Sequence, residues 1–133
     1  MESLLPLLLL ISLTSVIGLT LRAKKGVIKK GARLKISEPE FGGKYGSRLT
    51  ILQFSTTFCS ECRTAKAIVK DVVKDSKDIT YVEVDAESNL DLVRRVDIRS
   101  TPTTIFLDSK GFEIARAKGA PKRDQLIKAI RAI

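Results

Sequence analysis

Two cysteines, the only two in 133 residues, stand in the run Phe58-Cys59-Ser60-Glu61-Cys62-Arg63. They follow an apolar, strand-like run over residues 49–54 and open a helix-like stretch. A helix N-terminus presents unpaired backbone N–H groups and a partial positive charge, which together stabilise an anion. A thiol placed there loses its proton more readily, and the thiolate is the form that attacks disulfides. The second cysteine is close enough to close a ring on the first, which is the minimal equipment for thiol–disulfide exchange. Two cysteines can also be small buried hydrophobes, or half of a zinc site. A zinc site takes four ligands, and the chain has no histidine and no second cysteine pair. A metal would therefore need a dimer or carboxylate ligands, and no metal site is assigned.

A second signal lies at Ser100-Thr101-Pro102-Thr103-Thr104-Ile105. Proline ahead of an apolar strand lacks the N–H that a sheet ladder needs. It is tolerated at a strand's first position in a special conformation such as a cis peptide. Alone, Thr-Pro-Thr marks a turn; joined to the cysteine pair it becomes a strong signal.

The elements that must hold these residues follow from periodicity. Residues 49–55 form a buried strand, and 60–76 a helix whose Ala65, Ile68, Val69, Val72 and Val73 share a face. Residues 79–85 alternate, with Ile79, Tyr81 or Val82, and Val84 pointing inward. Ser88 caps a short helix to residue 96 carrying Leu90, Leu92, Val93 and Val96. Strands 103–107 and 112–117 flank Asp108-Ser109-Lys110-Gly111 as a β-hairpin. Residues 121–133 form a last amphipathic helix with Leu126, Ile127, Ile130 and Ile133 on one side. This order implies an α/β fold: a mixed sheet covered by helices on both faces, with one helical crossover to a parallel strand. The cysteines fall at the carboxyl end of its first strand, where open α/β sheets place their active sites.

Ahead of these elements the composition changes. Residues 4–21 carry no charge, a length at the lower end of what spans a bilayer and too long for a typical signal-peptide core. The expected organisation is a transmembrane anchor over 1–21, a basic juxtamembrane linker over 22–48, and a folded domain over 49–133. The linker is broken by Gly26, Gly31, Pro39, Gly42, Gly43 and Gly46, with a weakly signalled strand at 32–36. The formal charge of +9 is concentrated here: residues 1–48 hold nine Lys/Arg against three Asp/Glu, residues 49–133 fifteen against twelve. A basic cluster beside a membrane span reads as a topology signal and a contact for anionic headgroups. No aromatic residue interleaves with Arg22–Lys35, which argues against nucleic acid. The positive-inside rule puts the domain on the cytoplasmic side, and a cleaved signal would carry its positive charge in front of the apolar run.

On the residues quoted, the chain resembles the thioredoxin superfamily over about residues 49–133. Three features carry the likeness: the strand ending in Cys59-Ser60-Glu61-Cys62-Arg63, the Thr101-Pro102-Thr103 run, and the Asp108–Gly111 hairpin followed by Gly119 and a last helix. With its anchor it looks most like the membrane-tethered thioredoxin-like proteins of bacteria, many of which work outside the membrane. The resemblance implies a thioredoxin-like three-layer fold and a thiol–disulfide oxidoreductase that acts on protein disulfides or dithiols without a bound cofactor. An external thiol or reductase would then supply its electrons. Residue by residue, it implies Cys59 as nucleophile, Cys62 as resolving cysteine, Pro102 as a cis-proline packed against the pair, and Thr101 as the position whose backbone pairs with substrate.

Departures from the family pattern bear on mechanism. A buried Asp usually six residues before the first cysteine is Gln53, which cannot ionise. The aromatic before the pair is Phe58 rather than Trp, Ser60-Glu61 replaces Gly-Pro, and Ala67 stands where a helix-kinking proline is usual. Glu61 opposes the helix-dipole effect on Cys59 unless it faces solvent or pairs with Arg63. Gln53 also favours a rival reading, a membrane-tethered adaptor whose cysteine pair is structural.

Overall fold

The computed structural model describes residues 4–133. Its elements run α1 (Leu4–Ala23), β1 (Ile28–Lys30), α2 (Glu38–Phe41), β2 (Leu49–Ser55), α3 (Ser60–Val73), β3 (Ile79–Asp85), α4 (Leu90–Arg95), β4 (Thr103–Asp108), β5 (Glu113–Lys118) and α5 (Arg123–Ala132). All seven residues of β2 are buried. Its neighbours explain why: the five strands form one sheet in the order β1-β5-β4-β2-β3, with β2 parallel to β3 and antiparallel to β4. Helices cover both faces, so the strand reads as a nearly continuous apolar run.

Alternation along β2 builds two cores. Leu49 and Ile51 pack with Val69, Val73, Phe106, Leu126 and Ile130, on the face covered by α3 and α5. Leu52 and Phe54 pack with Phe41, Leu92, Val96, Ile105 and Leu107, on the face covered by α2 and α4. Each fully buried side chain of this size contributes about 1.5–3 kcal/mol. The mixed sheet, the α3 crossover and the hairpin are those expected. At the hairpin, Gly111 has φ +86°, and a Cβ there would stand 2.2 Å from the Tyr45 hydroxyl, so any other residue is strained and must displace Tyr45.

Within the segment expected as a linker, several residues pack with the sheet: β1 pairs antiparallel with β5, and Ile36 and Phe41 are 0 % and 6 % exposed in the core. Without β1, β5 would be a bare edge with unpaired N–H and C=O groups. The strand expected at 32–36 shrinks to a single Lys35–Phe112 bridge. Ser88 does not cap α4, because its hydroxyl donates to the Asp85 carboxylate at 2.6 Å and Asn89 occupies the cap position.

A buried ion pair ties β5 to the loop after α4. Glu113, fully buried, accepts two bonds from the Arg116 guanidinium at 2.5 and 2.9 Å, and the same guanidinium donates to the Val96 carbonyl at 3.0 Å. At the other end of the chain order, α1 has 20 residues and none is buried. At about 1.5 Å per residue it matches the hydrocarbon thickness of a bilayer, and it is apolar enough to cross one.

Candidate active site

β2 ends at Ser55, and a short loop carries the chain to Cys59, which sits in extended conformation at the N-cap of α3. Its Sγ accepts a hydrogen bond from the Cys62 backbone N–H at 3.1 Å. The two cysteines form a disulfide with a Cα–Cα distance of 5.2 Å. Their environments differ. Cys62 lies on the same buried face of α3 as Ala65 and Val69 and is 3 % exposed. Cys59 is partly exposed, and Phe58 beside it is 98 % exposed. Cys59 is therefore partly open to solvent, whereas Cys62 sits in the core.

Beneath Cys62 lies a neutral hydrogen-bonded pair. Gln53 is fully buried and, by alternation along β2, points to the α3 face. Its Nε2 donates to the Cys62 carbonyl at 2.9 Å, and its Oε1 accepts from the Tyr81 hydroxyl at 2.9 Å. The amide orientation is dictated by its partners, since a carbonyl can only accept and the phenol here donates. Burial, and then the nearby Glu83 carboxylate, push the Tyr81 hydroxyl well above the ordinary phenol pKa, so Tyr81 is a neutral donor. Glu83 itself pairs with Lys66 of α3 at 2.9 Å. Across the sheet Gln53 faces Thr104, whose hydroxyl is the one buried side-chain polar atom without a partner among the described residues.

The Thr101–Pro102 peptide is cis and Pro102 is buried. The Pro102 carbonyl accepts from the Gly119 N–H at 2.7 Å, just past β5. The Thr101 hydroxyl stands 3.4 Å from that of Thr56, on the loop leading to Cys59. Cys59, Cys62, Thr101 and Pro102 thus gather at one end of the sheet. Glu61 does not need Arg63: its carboxylate lies 3.4 Å from the Lys25 ammonium. Both side chains are more than half exposed, so the pair adds little stability. Among the described residues no group of three or more His, Cys, Asp or Glu could hold a metal ion.

The thioredoxin family model matches residues 36–132. The chain belongs to the thioredoxin family. The match begins at Ile36, ahead of residue 49, in keeping with the burial of Ile36 and Phe41. The chain is 32 % identical over 77 residues to thioredoxin H5 of Oryza sativa subsp. japonica, an alignment covering 58 % of this chain and 56 % of that protein. It is 27 % identical over 86 residues to the thioredoxin of Ophiophagus hannah, covering 65 % and 80 %. Its structure resembles that of thioredoxin f2 from Chlamydomonas reinhardtii with a TM-score of 0.59 at 25 % identity, over 71 % of this chain and 85 % of that one. With the Cys59–Cys62 disulfide at the head of α3, this member of the family is a thiol–disulfide oxidoreductase. Sequence reasoning missed Tyr81 as the partner of Gln53 and Lys25 as the partner of Glu61. Tyr81 stood out only as an inward-facing candidate, and its reach to Gln53 depends on the β2–β3 register.

Proposed function

We propose that this chain is held at a membrane by α1 and exchanges disulfides with protein substrates through Cys59, with Cys62 resolving. The observation that carries the reading is the asymmetry of the pair, Cys59 partly exposed at the N-cap and Cys62 3 % exposed. In the reducing direction the Cys59 thiolate attacks one substrate sulfur, and the other substrate sulfur leaves and takes up a proton. Cys62 loses its proton and attacks Cys59 Sγ, and the second substrate sulfur leaves as a thiol. Two electrons pass to the substrate, and Cys59–Cys62 closes to the disulfide described above. An external dithiol or reductase returns the two electrons; no bound cofactor takes part. Gln53 cannot take the Cys62 proton, which goes to water or to the leaving sulfur.

Thr101 and Pro102 receive the substrate segment, Thr101 through its backbone. The basic residues following α1 favour a domain on the cytoplasmic side. Reduction of insulin disulfides by the full chain, with a small dithiol as donor, tests the activity. The expected rate is well above that of the dithiol alone, whereas an adaptor with a structural pair leaves the rate at that background. Sidedness is read with a membrane-impermeant thiol reagent on intact cells. Labelling only after lysis supports the cytoplasmic side; labelling after external reduction puts the domain outside.

A further inference from the structure

The chain enters the domain at the same end of the sheet as the cysteine pair. β1 starts at Ile28 opposite Ala117, β4 starts at Thr103 opposite Lys118, and β2 ends there at Ser55. Only residues 24–27 separate α1 from the sheet, and Lys24, Lys25 and Gly26 each donate a backbone hydrogen bond. The Gly26 N–H donates to the Lys118 carbonyl at 2.6 Å. Gly26 has φ +75°, and a Cβ on it would stand 2.2 Å from the Ala120 carbonyl oxygen, so the chain passes against the domain too closely for a side chain. Lys25 reaches Glu61, inside the Cys-Ser-Glu-Cys run. A segment held by sheet pairing and backbone hydrogen bonds is not a flexible tether, which needs a run free of both.

Between the anchor and the site lies a cleft of about 250 Å³, walled by Leu21, Lys24 and Lys25 on one side and by Glu61, Thr101 and Gly119 on the other. Lys25 lies two positions beyond the end of α1 and Glu61 two positions beyond Cys59, each a span of at most about 7 Å. The reacting sulfur is thereby kept close to the end of the anchor. Lys24, Lys25 and Lys118 set three ammonium groups around this cleft against the one Glu61 carboxylate.

We infer that the substrate disulfide belongs to a second membrane-anchored protein, lies within a few residues of its span and is flanked by acidic residues, and that Leu21 and Lys24 form part of the cleft receiving it. The inference rests on the proposal that α1 spans a membrane and that Cys59 attacks protein disulfides. It adds that the anchor sets specificity.

The test places the full chain in vesicles of zwitterionic and anionic phospholipid with one of two single-span peptides. Both carry the same acidic disulfide loop, one directly after the span and the other behind a Gly/Ser spacer of about 40 residues, whose ends wander over roughly 35 Å. The readout is the ratio of their reduction rates, in which basal activity cancels. The expected ratio favours the short peptide about fivefold or more. An insertion of about 20 Gly/Ser residues between Ala23 and Lys24 is expected to bring the ratio to near one. Lys24→Glu is expected to slow reduction of the acidic short peptide relative to a basic-flanked copy. A wild-type ratio near one, or a ratio untouched by the insertion, overturns the inference. Insulin reduction and vesicle flotation separate the levels: a chain that floats and reduces insulin but fails the ratio refutes the inference alone. A chain that fails either control refutes the reading beneath it.

Discussion

Replacing Gln53 by Glu would install an ionisable group in the dry contact between α3 and the sheet without changing its shape. Protonated, the new carboxyl can donate to the Cys62 carbonyl and accept from Tyr81, as the amide does at 2.9 Å on both sides. Ionised, it can only accept, so it repels the Cys62 carbonyl and holds a charge at a position with no exposure. Buried carboxyls of this kind rise by about 3 units or more above the ordinary value of about 4.3. A folded-state pKa raised above the unfolded value means that the stability contribution is complete below the unfolded pKa and is lost as pH rises to the folded one. At about 1.36 kcal/mol per unit, Gln53→Glu should match the wild type near pH 4 and fall behind by roughly 4 kcal/mol by pH 8. Urea denaturation of the oxidised full chain in detergent micelles, followed by far-UV circular dichroism at a series of pH values, measures this. A difference between variant and wild type that stays constant with pH would refute the assignment of Gln53 to a water-excluded contact. The same variant supplies the internal base that the wild type lacks, so its Cys62-dependent release step should gain a pH dependence with the same midpoint.

Three further outcomes follow from the packing. Arg116→Ala leaves Glu113 buried and unpaired, and should lower stability by about 3–5 kcal/mol in the same denaturation assay. Thr104→Val removes a buried hydroxyl with no partner and should raise stability by about 1 kcal/mol. Tyr81 is favoured in its neutral form by burial and by Glu83, so its contribution holds below about pH 10, the ordinary phenol value, and is lost as pH rises towards its raised folded value. Tyr81→Phe should therefore show a smaller alkaline loss, the remainder coming from Tyr45, whose pKa burial also raises.

Long elements with a clear period were legible in the sequence. β2 is buried along its whole length and mostly apolar because both of its faces are covered, and α3 repeats Ala65, Val69 and Val73 at helical spacing because only one of its faces is. The cysteine pair could be placed between them for the same reason. β1 was not legible: Ile28-Lys29-Lys30 is three residues long with both lysines exposed, and only the open edge of β5 makes it a strand. The start of α4 was misplaced because Ser88 and Asn89 are both capping types, and the Asp85 carboxylate, set by the end of β3, takes the Ser88 hydroxyl. Gln53 could be seen as unable to ionise, but its bond to Tyr81 joins residues from two strands. The Lys25–Glu61 contact required knowing at which end of the sheet the chain arrives.

The claim that Cys59 is the attacking sulfur and Cys62 the resolving one meets its most direct test in a trapped intermediate. Reduced full-length Cys62→Ser is mixed with insulin, quenched with acid and analysed by non-reducing mass spectrometry. The expected result is a mixed disulfide between Cys59 and an insulin chain that accumulates because nothing resolves it, with no adduct on Cys59→Ser and no insulin reduction by that variant. Reduction of insulin by Cys59→Ser at the wild-type rate, or a Cys62→Ser protein that turns over without accumulating an adduct, would contradict the account.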